Sequence, residues 1–513
     1  MSKVNSTIFL HYYSIIFSPI LHCRCFTFFS RLYLIFFSFF IRYTKLGQYI
    51  ATLNHILPSV WTETLVTLQD SAASMSLVED GLQLMIENEL DAPLHELFSE
   101  FDKVPIAAAS LAQVHRAVLK SNGDEVAVKV QYPHLGVQVV GDLWAMEVLS
   151  AVVGFFFPDF NLGWLLPEFE ETADMELDFV QELKNNQRIA AMLAGRCDVY
   201  VPYAIEKYSS RKVLTMEFVR GLRVDDVHGI KMAELAPLDI ANTITSVFGE
   251  MIYCHGFIHC DPHPGNLLIR RKTKARKDSW RWWKWWFGSS CEYELLLLDH
   301  GMYRRLEPAF RRAHCRLWKA LLTQDIILGQ ACAKELNIDP IAVETISMML
   351  TLRTPTSITR AGDRISSSEK SQLKKKYKNA TAGDINRFIE SLPRDLLFIL
   401  RTNDIVRSLN KTLGGSTRAR LLLMGDWSVR GLSIPFCTLS EDQFVGINLS
   451  LSQSSNRRRL NLQVDSEYSK NHIFPQISTF FKTTELWILR FKLWLLDAVF
   501  TMLRLKKERL ANK

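Results

Sequence analysis

The 513-residue sequence predicts an α+β fold in which a small β-rich lobe precedes a larger helical lobe. Three observations predict this fold class. Strand-like segments flank a hairpin signal at Asn122-Gly123. Helical patterns dominate residues 310–413. Between them, a polar loop and a run of leucines each end on side chains that could bind a cation or a phosphate.

The polar loop reads His-Cys-Asp-Pro-His-Pro-Gly-Asn over residues 259–266 and carries Asp261 and Asn266. The run Leu-Leu-Leu-Leu-Asp-His-Gly over residues 295–301 ends at Asp299. Protein kinases use this arrangement: the first Asp faces the hydroxyl that is phosphorylated, and the Asn and second Asp hold Mg²⁺ against the nucleotide phosphates. The loop alone also fits an ordinary turn. A buried strand that ends in Asp-x-Gly favours the kinase interpretation, because a carboxylate there needs something to bind it.

Lys129 is the candidate nucleotide lysine. The segment Val-Ala-Val-Lys-Val predicts a strand in which Lys129 points away from the face of Val128 and Val130. A surface lysine on an edge strand is the other interpretation. In kinases such a lysine contacts the α and β phosphates and pairs with a glutamate on a helix. Glu182 lies 53 residues on and is the candidate partner.

Two further acids, Glu176 and Asp178, precede Glu182 in one predicted helical segment. They would lie some 200° apart on a helix, so the three acids cannot share one solvated face. Strand-like segments follow at 199–202 and 213–218. Residues 217–219, beginning with Glu217, are predicted to link the two lobes where adenine would bind backbone groups.

Composition places few other limits on function. The net charge of +7 is modest for this length and does not argue for nucleic acid. The nine cysteines form no Cys-x-x-Cys pair, which favours reduced thiols without a disulfide framework or a zinc site.

Residues 1–44 contain no acidic residue and are rich in Phe, Ile, Leu, Tyr and Ser. Their few charges are basic, which is typical of a mitochondrial targeting segment. A membrane anchor and a misassigned start of the gene are the other interpretations, although the apolar run 32–41 is too short to span a bilayer.

Residues 45–104 open with Lys45-Leu-Gly-Gln48 and predict helices to about Gln69 and from Leu77 to Glu100, with a break near Pro93.

In combination, these motifs resemble the UbiB family of atypical kinase-like proteins, also called aarF-domain-containing kinases, and most closely its kinase 1 branch. The similarity runs from Lys45 to about residue 430. The resemblance implies a bilobal protein-kinase-like fold with a helical Lys-x-Gly-Gln extension and extra helices in the large lobe. Together with the composition of the two ends, this predicts an apolar targeting or anchor segment (1–44), the extension (45–104), a small β-rich nucleotide lobe (105–220), a large helical lobe (221–430), a linker (431–482) and an apolar helix (483–513).

The resemblance assigns roles to these residues. Asp261, Lys129 and Glu182 match the catalytic set, and Asn266 and Asp299 match the metal positions. Ala107, Ala108, Ala109 and Ser110 match an alanine-rich nucleotide loop. Lys45 and Gln48 are implied to pack over the pocket and to reach Glu176 and Asp178. The implied cofactors are ATP or ADP and Mg²⁺, and the implied biology is mitochondrial lipid or quinone homeostasis.

The alanine loop differs from the glycine-rich loop of ordinary kinases. A Cβ atom restricts the backbone conformations that bring N–H groups close to phosphates. Replacing Ala107, Ala108 or Ala109 by glycine is therefore expected to change the preference between ATP and ADP, which nucleotide affinities of the variant would test.

Other departures argue against a protein substrate docked in the usual way. Cys260 replaces the arginine that receives a phosphorylated activation loop. His300 replaces the phenylalanine of Asp-Phe-Gly, and no Ala-Pro-Glu segment follows.

An insertion at residues 270–294 contains eight basic residues and five tryptophans between 270 and 287. A disordered loop or retained non-coding sequence is one interpretation. Contact with a membrane surface is the other, because Trp prefers the headgroup region and Lys and Arg attract anionic lipid. Single-stranded nucleic acid would suit the composition, but nothing else in the chain supports it. Loss of vesicle binding on deletion of the loop would test the membrane interpretation.

The apolar segment 486–503 contains Arg490, Lys492 and Asp497. These charges favour a helix that lies on a membrane or packs on the protein over one that spans a bilayer.

The complete set of kinase residues favours an ATPase or a kinase of a small or lipid-like substrate. The missing activation segment and the alanine loop favour a nucleotide-gated scaffold or lipid-binding protein without phosphotransfer. A protein kinase of the ordinary kind ranks third. The sequence names no protein partner.

Overall fold

The computed structural model describes residues 81–108, 111–133, 135–156, 163, 166–272, 292–351, 354, 371 and 382–433. The chain divides into two compact units. The first comprises residues up to 226 together with 260–303 and 365–405, and the second comprises 227–259, 304–364 and 406 onward. The domain boundaries predicted from the sequence stay predictions.

An antiparallel five-stranded sheet forms the centre of the first unit. Its strands are β1 (Phe98–Phe101), β2 (Ala107–Ala108), β3 (Ala112–Leu119), β4 (Glu125–Gln131) and β6 (Val213–Glu217). Their order is β1-β3-β4-β6, and β2 pairs with β3. The hairpin predicted at Asn122-Gly123 is confirmed, with β3 and β4 antiparallel and Gly123 at a φ of 74°.

Alternate side chains of strand β4 lie on opposite faces of the sheet, as the residue pattern predicts. Val128 and Val130 are fully buried in a cluster that includes Leu82 and Ile86 of helix α1 (Leu82–Glu89). A strand exposes alternate side chains on opposite faces, so Lys129 belongs to the other face.

That second face is covered by helix α5 (Phe179–Met192), through Phe179 and Leu183. Lys129 Nζ lies 5.1 Å from the centroid of the Phe179 ring. The predicted orientation of Lys129 is thus confirmed, and α5 brings its first turn to the lysine.

The helix predicted to continue to Glu100 is wrong at its end. Helix α2 (Leu94–Leu97) stops one residue before strand β1. Phe98 is 3% exposed and faces Leu119 across the sheet. Burial of this aromatic side chain and strand pairing outweigh the helical pattern of the segment.

Two helices lie between β4 and α5 along the chain, namely α3 (Leu135–Phe156) and α4 (Leu166–Glu176). Helix α3 was not predicted from the sequence. Its composition is apolar over most of its 22 residues, so it lacks the alternation of polar and apolar residues that marks a helix.

A four-stranded sheet also belongs to the first unit, with strands β5 (Val199–Tyr200), β7 (Leu222–Arg223), β9 (Leu267–Arg271) and β10 (Tyr293–Leu297). Its order is β5-β10-β9-β7, with only the β5–β10 pair parallel. The predicted insertion joins β9 to β10, and its residues 273–291 lie outside the described part of the chain.

Basic residues at the described start of the insertion form ion pairs within the protein. Arg270 and Lys272 both form ion pairs with Glu294, at 2.5 and 3.5 Å. Lys272 also donates to the carbonyl oxygen of Cys197 at 2.5 Å. Two of the eight basic residues therefore share one carboxylate of the sheet that the insertion leaves.

The expectation of reduced thiols is wrong at one position. Cys197 is disulfide-bonded. Cysteine spacing along the chain does not reveal which residues the fold brings together. Cys254, Cys260, Cys315 and Cys332 are buried free thiols.

The second unit is mostly helical. Its elements are α6 (Val227–Met232), α7 (Pro237–Gly249), a π-helical turn (Glu250–His255), β8 (Phe257–His259), α8 (Pro308–Thr323), α9 (Ile326–Glu335), α10 (Val343–Thr351) and α13 (Thr417–Ser433). Strand β11 (Tyr303–Arg305) pairs with β8. Helices α11 (Ala382–Glu390) and α12 (Arg394–Thr412) lie between α10 and α13 along the chain, and residue 405 of α12 is the last of the first unit.

The helices predicted at 310–322, 325–335, 342–352, 385–392 and 396–413 are confirmed within a few residues. Helix α13 was not predicted. In the part of the chain that the structure describes, no helix meets the length and hydropathy needed to cross a membrane. The α+β fold class is confirmed.

Candidate active site

Lys129, Glu182 and Asp299 converge in the first unit. Lys129 Nζ donates to both carboxylate oxygens of Glu182 at 2.8 and 2.9 Å, and to Asp299 Oδ2 at 3.4 Å. The Glu182 side chain is 2% exposed, whereas that of Asp299 is 38% exposed. The pairing of Lys129 with Glu182 predicted from spacing is confirmed, and the more open carboxylate belongs to Asp299.

Asp178 positions the helix that carries Glu182. Its side chain accepts hydrogen bonds from Val180 N at 3.0 Å and from Gln181 N at 3.4 Å, as an N-cap does. The backbone leaves helical geometry here, since α4 ends at Glu176. The prediction of one helix through Glu176, Asp178 and Glu182 is therefore wrong, because a cap separates two helices.

The loop containing Asp261 is held by its own backbone. His263 N donates to Asp261 O at 2.8 Å, and Asn266 N donates to His263 O at 2.8 Å. The Asn266 side-chain nitrogen donates to Asp261 O at 3.2 Å. Leu298 N donates to Asn266 O at 3.0 Å. The loop and the strand end that carries Asp299 are thus adjacent, as kinase chemistry requires.

Arg401, on helix α12, contacts the predicted catalytic carboxylate. Its Nη2 lies 3.3 Å from Asp261 Oδ1, and its side chain is 7% exposed. Its Nη1 lies 3.7 Å from Met302 Sδ. This residue was not predicted from the sequence, although an arginine after the apolar run 396–400 is a signal, because buried arginines need partners.

His300 is a buried structural residue. Its Nε2 lies 3.1 Å from Leu297 O and its Nδ1 lies 3.0 Å from the Tyr303 hydroxyl. A carbonyl can only accept, so Nε2 carries the proton and Nδ1 accepts from Tyr303 in the neutral ring. His300 N also lies 3.3 Å from Glu182 Oε1 and donates to it. This residue therefore links the Asp299 turn to the Lys129 pair.

Gly301 completes the turn after Asp299. Its N–H donates to Asp299 Oδ1 at 2.9 Å. A Cβ at this position would stand 3.3 Å from the same oxygen and 3.7 Å from Glu182 Oε2. Glycine thus lets the backbone approach both carboxylates.

Burial and charge act in opposite directions in this cluster. Burial raises the pKa of Glu182 to about 7, Lys129 opposes the rise, and Asp299 adds to it. Burial disfavours the Lys129 ammonium, but Asp299 and Glu182 together raise its pKa above its ordinary value. Lys129 therefore keeps its positive charge at neutral pH and can attract phosphate.

Only some of the remaining predicted site residues lie in the described part of the chain. Ala107 and Ala108 are exposed in β2, opposite Val114 and Gln113. Glu217 ends β6, where it accepts a 2.5 Å hydrogen bond from the Tyr200 hydroxyl. Lys45, Gln48, Ala109 and Ser110 lie outside the described residues, so their predicted contacts stay predictions.

The donor set fits magnesium of the kinase type. The Asp299 side chain is 38% exposed. The Asn266 amide nitrogen is engaged with Asp261 O, so the amide oxygen of Asn266 is the atom that remains for a cation. One carboxylate and one amide leave coordination positions for phosphate and water. Within the described residues, no group of three His, Cys, Asp or Glu side chains could hold a metal on its own.

Comparison with known proteins identifies relatives across most of the chain. A model of the ABC1 atypical kinase-like domain matches residues 67–329. The "AarF domain-containing protein kinase 1" of Gallus gallus is 33% identical over 425 residues, which cover 82% of this chain and 78% of that protein. The corresponding protein of Mus musculus is 35% identical over 396 residues, covering 76% and 71%.

Two further similarities are more limited. The "Probable serine/threonine-protein kinase abkD" of Dictyostelium discoideum is 36% identical over 394 residues, and the match spans 76% of this chain but 53% of that protein. A Mycobacterium tuberculosis protein solved in complex with erythromycin is 19% identical, with a TM-score of 0.46, covering 76% of this chain and 93% of the other.

Proposed function

The chain belongs to the ABC1/AarF family of atypical kinase-like proteins, and we propose that it is an Mg²⁺-dependent ATPase or a kinase of a small or lipid-like substrate. The kinase-like fold predicted from the sequence is that of the family. The observation that carries the proposal is the contact of Lys129 with both Glu182 and Asp299. A degenerate site would be expected to have lost one of these three charges.

Each residue has a distinct task in this proposal. Lys129, oriented by Glu182, contacts the α and β phosphates of ATP. Asn266 and Asp299 would hold Mg²⁺, which supplies positive charge against the developing phosphoryl charge. Asp261 takes the proton of the attacking hydroxyl or water, and Arg401 holds its carboxylate in place.

We also propose that the protein acts at a mitochondrial membrane surface on lipid or quinone-like molecules. The support is the family and the composition of residues 1–44 and 270–294. Most residues of these two segments lie outside the described part of the chain. Of the basic residues at the start of the insertion, Arg270 and Lys272 are paired with Glu294.

A second candidate function is a nucleotide-gated scaffold. One contact favours it: Arg401 engages Asp261 Oδ1, the same kind of oxygen that must accept the proton of a substrate. If this pair persists in the nucleotide complex, the site binds ATP without transferring phosphate.

The fate of the γ-phosphate separates these candidates. The full chain is incubated with MgATP labelled on the γ-phosphate, with and without anionic vesicles that contain quinone. Label in inorganic phosphate or in the lipid phase, lost in Asp261→Asn but kept in Asp124→Asn, is the expected result. Asp124 is a suitable control because it is an exposed acid in the turn between β3 and β4. Nucleotide binding with no label transferred under either condition would favour the scaffold.

A further inference from the structure

Four buried polar side chains of the second unit have no part in the proposed kinase site. Tyr253 stacks on His314, with ring centroids 5.5 Å apart and planes 6° apart. The Trp318 ring lies 5.9 Å from that of Tyr253. Arg420 lies close enough to the Tyr253 hydroxyl to affect its pKa. We refer to Tyr253, His314, Trp318 and Arg420 as the buried polar cluster.

The cluster presents hydrogen-bond donors without protein acceptors. Among the described residues, nothing accepts from Arg420 Nε or Nη2, from the Tyr253 hydroxyl or from Trp318 Nε1. Both ring nitrogens of His314 also lack a partner there. Tyr253, His314 and Trp318 are fully buried, and Arg420 is 1% exposed. Buried donors are normally paired, so several in one place indicate a bound acceptor.

Neighbouring residues of the same types show that the fold can satisfy such groups. Arg311 is as buried as Arg420, yet its Nη1 donates to Gly431 O at 2.8 Å and also to Tyr253 O. Trp427 donates its Nε1 to Ser246 Oγ at 3.1 Å, whereas Trp318 Nε1 has no such partner among the described residues. Of the fourteen buried side-chain polar atoms without a hydrogen-bond partner among the described residues, six belong to this cluster.

Charge distinguishes an anion from a water molecule as that acceptor. Burial lowers the pKa of Arg420 to about 10, and Tyr253 opposes the change, so the guanidinium remains charged at neutral pH. No carboxylate among the described residues acts on it. A water molecule can accept a hydrogen bond, but it cannot neutralise a buried charge, and an uncompensated buried charge is strongly destabilising.

Three chain segments close around the cluster. Tyr253 lies in the π-helical turn, His314 and Trp318 lie on α8, and Arg420 lies on α13. A Cβ at Gly431 would overlap the carbonyl oxygen of Tyr253, so α13 packs directly on that turn. π-Helical turns occur frequently at functional sites. Because every donor residue is enclosed, the bound species must be small.

We propose that the buried polar cluster binds a small monovalent inorganic anion, of which chloride is the abundant example, and that this anion joins the π-helical turn to α8 and α13. Arg420 supplies the charge, while Tyr253 and Trp318 donate the remaining hydrogen bonds. The anion takes no part in the proposed nucleotide chemistry, so its test does not depend on catalysis.

Thermal unfolding of the full chain in sodium chloride and in sodium gluconate at equal ionic strength tests the proposal. The expected result is a Tm that rises with the logarithm of chloride concentration, because an anion that binds only the folded state stabilises it. In crystals grown with bromide, an anomalous peak should lie within hydrogen-bond distance of Arg420. A Tm that is equal in the two salts would overturn the proposal and leave water as the acceptor.

Substitutions test whether the chloride dependence of Tm arises at the buried polar cluster. Arg420→Met removes the charge and should abolish the chloride dependence, as a buried charge replaced by an apolar side chain of similar size is often tolerated. Tyr253→Phe keeps the ring and should shift the dependence to higher chloride, and it serves if the first variant fails to fold. Arg430→Met, an exposed arginine on the same helix, should respond to chloride as the wild type does. A full chloride response in both cluster variants would contradict the assignment.

Discussion

Arg401 holds the carboxylate that the proposed chemistry depends on. It lies 140 positions from Asp261 in the sequence, yet the two side chains are 3.3 Å apart. A cation at this distance orients the carboxylate and reduces the entropy lost when a substrate hydroxyl binds. Arg401 is therefore a positioning residue in this account.

Replacing Arg401 by methionine should lower kcat for ATP turnover at least tenfold and change the KM for ATP less than threefold, since the residue acts through Asp261 and not on the nucleotide. Steady-state kinetics measure both quantities. Arg401→Lys should recover part of kcat, because it restores a cation. Equal losses in the two variants, or a loss confined to KM, would contradict a positioning role.

The Lys129–Glu182 pair could be predicted from the sequence, and the Arg401–Asp261 pair could not. Lys129 stands in an alternating strand, and both partners match a kinase motif, so the residue pattern alone indicates the face of the lysine and the identity of its partner. Arg401 stands in a helix whose pattern shows only that an arginine follows an apolar run. Its partner is set by tertiary packing, which no local pattern encodes.

Helix α5 depends on its first turn to bring Glu182 to Lys129. Asp178 caps that turn by accepting from Val180 N and Gln181 N. The sequence carried this signal, because Asp178 is followed three residues later by Gln181, the spacing of a capping box. The acids around it gave the segment the appearance of one helix, which concealed the cap.

Asp178→Ala should lower the free energy of unfolding by about 1 kcal/mol, the usual cost of losing an N-cap. Asp178→Ser, which can still accept from the same N–H groups, should cost much less. Urea unfolding of both variants measures the difference. If alanine and serine are equivalent, the cap does not contribute, and the role of Asp178 would lie in the contacts implied for Lys45 and Gln48.

The types of the elements in the two compact units could be predicted from the sequence. The segments that make up each unit could not. Strand patterns and helix periodicity identified most elements, including the helices between 308 and 412. The interleaving of the units, with 260–303 in the first and 227–259 in the second, arises from packing between distant segments.

The stability of the whole molecule should depend on pH through His314. Burial lowers its pKa to about 4 from an ordinary 6.5, and its neighbours are the Tyr253 and Phe310 rings. Between these two values the unfolded chain binds a proton that the folded chain does not. The contribution of neutral His314 to the free energy of unfolding is therefore fully present above about pH 6.5 and is lost as the pH falls towards 4.

His314→Phe should remove that loss, which amounts to roughly 3 kcal/mol between pH 7 and pH 4 at 1.36 kcal/mol per pKa unit. Denaturant unfolding across this range measures it. His95→Gln, at an exposed position, should leave the pH dependence unchanged. An unchanged acid slope in His314→Phe would show that other groups govern the acid response.

The proposed function requires Lys129, Glu182 and Asp299 to form a nucleotide site that supports phosphoryl transfer. Its most direct test is Mg²⁺-dependent ATP hydrolysis by the wild type, Asp299→Asn and the exposed control Asp124→Asn, with ATP binding measured alongside. We expect Asp299→Asn to lower kcat by about 10²–10³-fold, as loss of a charge-stabilising group does, and Asp124→Asn to match the wild type. Turnover that is unchanged in Asp299→Asn, or ATP binding that needs none of the three residues, would contradict it.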